Sequence, residues 1–319
     1  MSKIVSTQAM NIVEASKREG YTDKASFLTQ LAKKYDLLQV APWFPSSDGA
    51  FHKYTQAVRL GNGGFVKANG PVPSISSSAD TFIEAIASYQ ADSRVDDSIL
   101  KTAKEPGKVR DSEDVANLEG VMKNWMYELF YGTNSIEGFK GFAERRAALD
   151  EQYTFDNGGT GSDLTSIWLM ELGERGFNFR YPSGAQPGIS SDDRGRHLVR
   201  TLADDGDMWA WVRHYEIYAG MEIKNPKALL RLANIESGGS TIDHAKFIKM
   251  KNQLPNVGRD AVGFGNRTAH AIVETMAYDK SNAAYSLQDI EGFGPVVRLV
   301  GIPIMMIETI LDTESALTA

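Results

Sequence analysis

Asp156-Asn157-Gly158-Gly159-Thr160-Gly161-Ser162-Asp163-Leu164-Thr165-Ser166-Ile167-Trp168-Leu169 sets a polar, glycine-dense turn directly before a run of apolar residues. Glycine lets backbone N–H groups approach an anion closely, so the turn invites a phosphate-loop reading. The supporting residues are missing. No Gly-Lys-Ser/Thr follows, two aspartates in the loop would repel phosphate, and the chain continues into a strand rather than the N-terminus of a helix. A tight turn entering an apolar strand over 166–172 is the expectation. A phosphate-binding enzyme using the glycine turn at 158–161 stays as the alternative of a different class.

Downstream, the odd positions Trp209, Trp211, Tyr215, Ile217, Met221 and Ile223 are apolar while His214, Glu216 and Glu222 alternate against them, the period-two pattern of a strand. At about 3.3 Å per residue it would span nearly 50 Å, long for a compact enzyme, with a bulge expected at Gly220. Helices are predicted at 242–253 and 266–278, the second opening at Asn266 after Gly263-Phe264-Gly265. The tail from Val296 to Leu311, interrupted by Pro303, reads as two short strands or one bent strand.

Upstream, Val115, Leu118, Met122, Trp125 and Leu129 recur in steps of three and four, predicting a helix over 112–131 with Ser112 as N-cap and Gly132 as the stop. A straight rod of about 30 Å suits a structural spine. A shorter helix is expected around 139–149. Phe51–Leu60 and Thr81–Tyr89 read as extended runs joined by Gly61-Asn62-Gly63-Gly64 and the polar stretch 69–78, which predicts a long hairpin with a loose tip projecting from the body. Residues 22–38 read as an amphipathic helix capped by Thr22 or Asp23, with Phe27, Leu28, Leu31 and Tyr35 as its stripe. That stripe fits either a core helix or an arm buried on a neighbouring subunit.

A chain of 319 residues suits two lobes with extensions, and 42% hydrophobic with 24% charged residues is an ordinary globular composition. The net charge of -7 argues against broad contact with nucleic-acid phosphates. The absence of cysteine removes disulfides, thiolate nucleophiles and sulfur-ligated metals. His52, His197, His214, His244 and His270 form no close metal-ligand pattern, so structural or surface roles are expected and neither a metal nor a cofactor is implied. Asp204-Asp205-Gly206-Asp207 lacks the spacing of a calcium loop and reads as a solvated turn. Arg145-Arg146 reads as a solvated or subunit-pairing face. No secretory signal or membrane span is evident, so a soluble, cytosolically made protein is expected.

Several segments, in order, resemble the major capsid proteins of the epsilon-fifteen-like short-tailed bacteriophages. They are 156–169 with Tyr181-Pro182-Ser183-Gly184, then Phe130-Tyr131-Gly132, Arg231-Leu232-Ala233-Asn234-Ile235, Asn266-Arg267-Thr268 and Gly301-Ile302-Pro303-Ile304. The resemblance covers most of residues 110–311. The Met305-Met306 pair and the acidic stretch 202–207 have no place in it. It implies an α+β fold of the Hong Kong 97 type, with an N-terminal arm (1–48), an extended hairpin loop (49–92) and a peripheral domain containing the spine (93–155). The remainder (156–319) would be mainly axial, with the long strand 209–223 returning through the peripheral domain.

The resemblance further implies a non-enzymatic major capsid protein that assembles through hexamers and pentamers into an icosahedral shell. Such a shell would enclose double-stranded DNA without sequence-specific contact. The protein would be located in the virion capsid after assembly in the host cytoplasm and would have no membrane partner. Scaffolding, portal and decoration proteins are further candidate partners. An encapsulin-like compartment shell is the alternative within the same fold. Candidate subunit-interface residues are Phe27, Leu28, Leu31, Tyr35, Gly61, Gly63, Gly64, Phe65, Arg145 and Arg146.

Overall fold

Every residue of Leu164–Glu171 is buried, its polar Thr165, Ser166 and Glu171 with the apolar Ile167–Met170, as in a strand covered on both faces. In a computed structural model of the chain, the described residues are 35–59, 61–133, 138–185, 187–201, 206–239, 241–256, 260–278, 285–290 and 294–318. In chain order the elements are α1 (Asp36–Val40), β1 (Trp43–Pro45), β2 (Phe51–Arg59), β3 (Ser78–Ala85), β4 (Ala87–Asp96), α2 (Asp97–Thr102), α3 (Pro106–Tyr131) and α4 (Phe142–Arg145). They continue with β5 (Thr154–Asp156), β6 (Leu164–Glu171), β7 (Phe177–Tyr181), β8 (Ile189–Thr201), β9 (Gly206–Ile223), β10 (Leu229–Glu236), α5 (His244–Gln253), β11 (Ala261–Gly265), α6 (Arg267–Tyr278), β12 (Tyr285–Ile290), β13 (Gly294–Leu299) and β14 (Ile302–Met306).

Three sheets result. A seven-stranded sheet runs β12-β13-β14-β11-β6-β10-β5, and a five-stranded sheet runs β1-β7-β9-β4 with β8 also on β9. The ribbon β2-β3 stands apart from both. Strand β6 joins the layers because its alternate side chains enter different cores. Trp168 and Met170 pack with the spine residues Leu118, Met122, Trp125 and Phe130 and with Phe177, Phe179 and Ile217 of the five-stranded sheet. Ile167 and Leu169 point the other way, among Phe247 and Met250 of α5 and Ile272 and Val273 of α6. Strands β7 and β8 both pair with β9, so the five-stranded sheet draws strands from both sides of residue 156.

The spine α3 begins at Pro106, six residues before Ser112, and runs for 26 residues, about 39 Å at 1.5 Å per residue. Proline at the first position fits because its missing N–H would be unpaired there in any case. Val115 is 43% exposed, so the buried stripe is Asp114, Leu118, Met122, Trp125, Met126, Leu129 and Phe130. Asp114 holds the stripe's polar end to the sheet, accepting from the Ser93 hydroxyl at 2.6 Å and lying 3.2 Å from Arg213 Nε. The helix stops at Gly132 as predicted, where an added Cβ would lie 2.4 Å from the Glu128 carbonyl oxygen. The expected helix at 139–149 is the single turn α4.

Strand β9 is 18 residues long. Gly220 is not a bulge: it is where pairing passes from β4, which ends opposite Ala219, to β7, which begins at Gly220. The bulge lies on the neighbouring β8, between Asp193 and Gly195, with Gly195 at φ 75°. The tail resolves the open choice in favour of two strands, β13 and β14, reversing at Val300-Gly301.

Tyr35, with Leu37, Leu38 and Val40 of α1, is buried in the first core. The last member of the expected arm stripe is thus covered by its own chain, whereas Phe27, Leu28 and Leu31 lie outside the described residues. Burial pushes the Asp36 carboxyl up to about 6. A folded value above the ordinary one stabilises at low pH, and that contribution is lost as pH rises from about 4 through about 6. Asp36→Asn should therefore raise the melting temperature at neutral and alkaline pH by about 2 °C or more and leave it unchanged near pH 4. Equal shifts at both pH values in a melting series would contradict this.

Candidate assembly surface

The ribbon β2-β3 pairs Phe51–Arg59 with Ser78–Ala85. Beyond it, residues 61–77 form no regular element; a turn closes where the Gly70 N–H donates to the Lys67 carbonyl at 2.9 Å and Asn69 takes φ 64°. Phe65 is fully exposed, Val72 is 82% exposed and Ile75 59%, so the apolar groups of the tip contribute little to the protomer's own core. Of the three candidate glycines, Gly61 is set by close approach, since an added Cβ would lie 3.0 Å from Ile75 Cβ. Gly63 faces open space, and Gly64 has only Pro73 near it, at 3.8 Å.

The ribbon's root, in contrast, is pinned. Glu222 is 1% exposed on β9, at a polar position that alternation would place in solvent. It accepts from Asn178 Nδ2 at 2.8 Å and Arg180 Nε at 3.0 Å, and it lies 3.2 Å from His52 Nε2 on β2. Arg180 also donates to the Pro45 carbonyl at 3.0 Å. Burial alone would raise the Glu222 carboxyl, but the hydrogen bonds and charge of Arg180, with Asn178 and His52, outweigh it and hold the group below its ordinary value. Gln56 adds a hydrogen bond from Nε2 to the Ile223 carbonyl at 2.7 Å.

Arg145 and Arg146 are committed within the chain rather than presented as an open pairing face. Arg145 forms a two-pronged ion pair with Glu84 of β3, 2.8 Å on each prong, which ties the ribbon to α4. Arg146 donates to the carbonyls of Leu229 at 2.9 Å and Pro226 at 2.6 Å, and stacks 4.6 Å from the Tyr153 ring. Both lie where the backbone of 141–146 turns against β3 and β10, a placement that their adjacency in sequence does not reveal.

The glycine turn is a poor phosphate cradle, because two of its N–H groups are already used internally. Gly158 donates to Asp156 Oδ1 at 2.9 Å and Gly159 to the Asn234 carbonyl at 2.9 Å. A Cβ on Gly159 would sit 2.5 Å from that carbonyl oxygen, so close packing explains the glycine. The turn and the Arg231–Ile235 segment instead form a seat for the C-terminal residues. Asn234, at φ 57°, exchanges side-chain hydrogen bonds with the Leu317 backbone at 2.9 and 3.1 Å. Glu314 donates its N–H to the Leu164 carbonyl at 2.8 Å. Its carboxylate accepts from the Ser166 hydroxyl, from Tyr131 at 2.6 Å and from Arg231 Nη2 at 3.0 Å. Among the described residues no group of three or more His, Asp or Glu could hold a metal ion, and no helix is long and apolar enough to cross a membrane.

A two-sheet α+β body with a long spine helix and a detached, root-anchored hairpin is the Hong Kong 97-type shell fold. The structure of bacteriophage Epsilon15 is similar over 88% of each chain, with 22% identity and a TM-score of 0.64. The capsid of bacteriophage JBD30 matches at 10% identity over 86% of this chain and 90% of that one, with a TM-score of 0.46. The SrpI encapsulin of Synechococcus elongatus matches at 12% identity over 64% and 88%, with a TM-score of 0.43. Curated protein sequences give no match. The chain belongs to the major capsid protein GP7 family, whose model matches residues 21–318. It is a structural subunit of a phage capsid, not an enzyme.

Proposed function

We propose that copies of this chain close into an icosahedral shell through rings of six and five, enclosing double-stranded DNA without sequence-specific contact. The five-stranded sheet with α3 is the peripheral lobe, the seven-stranded sheet with α5 and α6 the axial lobe, β2-β3 with its tip the extended loop, and the segment before Tyr35 the arm. The observation that carries this reading is the contrast along the hairpin: a root held by an ion-pair cluster and a tip whose Phe65, Val72 and Ile75 are exposed. Exposed apolar groups on a projecting loop are stabilised when a neighbour covers them. The tip of one copy lies over the spine and outer strands of the next, and head-to-tail contacts of this kind close into rings. A net charge of -7 suits a shell that does not grip the DNA inside it. Assembly takes place in the host cytoplasm, with scaffolding, portal and decoration proteins as further partners.

Electron microscopy of the full chain expressed alone and with a co-expressed scaffold is expected to show closed shells in at least one of the two preparations. A monomer at every concentration in both, with the 61–77 tip resistant to protease, would refute the proposal.

A further inference from the structure

His52 sits at the hairpin root with both ring nitrogens engaged. Nδ1 accepts the Ser47 backbone N–H at 3.2 Å, so the ring proton belongs on Nε2, facing Glu222 Oε1 at 3.2 Å. The bond to Ser47 fixes the 46–50 connector that leads into β2. Ser47 Oγ in turn accepts the Lys53 N–H at 2.9 Å, and Asp48 and Phe51 exchange backbone hydrogen bonds at 3.2 Å. On the connector's other side lies an open groove of about 600 Å³, lined by Gly49, Ala50, Ile86, Pro182, Gly188 and Tyr218 among others.

We propose that His52 is a proton-operated latch: a second ring proton ejects the Ser47 amide and frees the 46–50 connector to move into the groove, while the hairpin stays anchored to the body through Glu222. Nδ1 can take that proton only by ceasing to be an acceptor, which leaves two N–H donors facing each other. The surroundings give the event a direction. Glu222 on β9 faces Nε2–H and is itself bound to Arg180 and Asn178 of β7. Glu84 lies opposite His52 in the β3 register and is bound to Arg145 of α4. Tyr54 stacks 6.0 Å away on β2, and Asp48 and Lys53 lie in the connector and at the strand's start. Glu222 stays ionised across histidine's titration range because Arg180 and Asn178 hold its carboxyl down. Nε2–H therefore keeps its acceptor while Nδ1 loses its donor, so the bond that breaks is the one to the connector. The latch depends on the fold of one copy and stands or falls apart from shell assembly.

Hydrogen exchange of the full-length chain, corrected for intrinsic rates at about pH 7.5 and about pH 5, tests this across the histidine range. Protection of residues 46–50 should fall about tenfold on acidification, the factor carried by one buried hydrogen bond, while the ribbon strand 51–56 and the spine around 118–130 stay protected. His52→Gln keeps a donor for Glu222 and an acceptor for Ser47 without a titrating group, and should show no such fall. Equal protection at both pH values in the wild type, an equal fall in His52→Gln, or a loss that spreads to the spine would each overturn the latch. Should the variant not fold, nitrogen NMR of the wild-type His52 ring decides. The Ser47 amide should leave its hydrogen bond as the ring titrates, and an amide unchanged through the titration overturns the proposal.

Discussion

Replacing residues 61–77 by a two-residue Asn-Gly insert is expected to leave a chain that folds with its original stability and forms no closed shell. The insert joins Leu60 to Ser78, so that Leu60-Asn-Gly makes a three-residue loop between Arg59 and Ser78, already paired in the ribbon, with Gly last, where such loops favour it. The deleted segment contributes little to the body, since its apolar side chains Phe65, Val72 and Ile75 are exposed. The anchors of the ribbon all lie outside it: His52 and Gln56 to β9, Glu84 to Arg145. A thermal melt within about 1 °C of the wild type, less than a 1 kcal/mol change would produce in a body this large, is the expected folding readout. Sedimentation should give a single small species where the intact chain gives particles. The contrast follows from the different environments of root and tip: one interacts with its own chain, the other with water until a second copy arrives. Shells of normal appearance from the deleted chain would show that the tip is not the assembly element, and a failure to fold would show that the tip stabilises the protomer.

The turn and strand at 156–172 were legible because an apolar run without alternation admits few placements, and β6 is indeed covered on both faces. The hairpin was legible for a related reason: alternating runs flank a stretch rich in Gly, Pro and Ser, which packs poorly and punctuates strongly. Other features were hidden by distance or by local chemistry. Ser112 with Glu113 and Asp114 looks like a helix start, yet the spine begins six residues earlier at Pro106, where proline at a helix's first position disturbs nothing. Strand β8 carries Ser190, Ser191, Asp192, Asp193, Arg194 and Arg196, a composition that resembles a loop but protects an edge strand from unwanted pairing. Glu222 occupies the polar phase of β9, yet the ribbon folds over it and leaves it 1% exposed. Its partner His52 lies 170 positions away, and no local pattern reports such a meeting. Arg145 and Arg146 were visible as a charged pair, but which carboxylate or carbonyl they would reach depended on the path of β3 and β10.

Glu314→Ala is expected to destabilise the folded chain by about 3–5 kcal/mol, the cost of removing one partner from a buried ion pair. In sequence, Glu314 belongs to a polar stretch, Asp312-Thr313-Glu314-Ser315, that reads as a solvated tail. In the fold it reaches Ser166, 148 positions away, and joins the end of the spine, through Tyr131, to the centre of the seven-stranded sheet, through Ser166 and Arg231. Arg231 is 4% exposed; besides Glu314 its guanidinium donates to Ser166 Oγ at 2.9 Å and the Arg146 carbonyl at 3.0 Å, and it lies 4.9 Å from the Trp168 ring. Without the carboxylate, neither remaining acceptor carries a charge to balance the buried cation. Tyr131 would lose the acceptor of its proton as well. Burial, with Glu314 beside it, pushes that phenol far above its ordinary value, so it remains a donor throughout the working pH range. Glu314→Gln, which keeps an oxygen for one side, Tyr131 or Ser166 with Arg231, but turns an amide donor to the other and removes the charge, should fall between wild type and alanine. The double variant Arg231→Met with Glu314→Leu removes both charges and refills the space; it should recover most of the loss, because an apolar pair of similar volume often matches a buried ion pair in stability. Urea denaturation of the four chains measures this, the coupling appearing as a double variant far more stable than the alanine single. An alanine variant within about 1 kcal/mol of wild type, no more than an exposed ion pair supplies, would mean that the C-terminal residues rest on the sheet without fastening the spine to it.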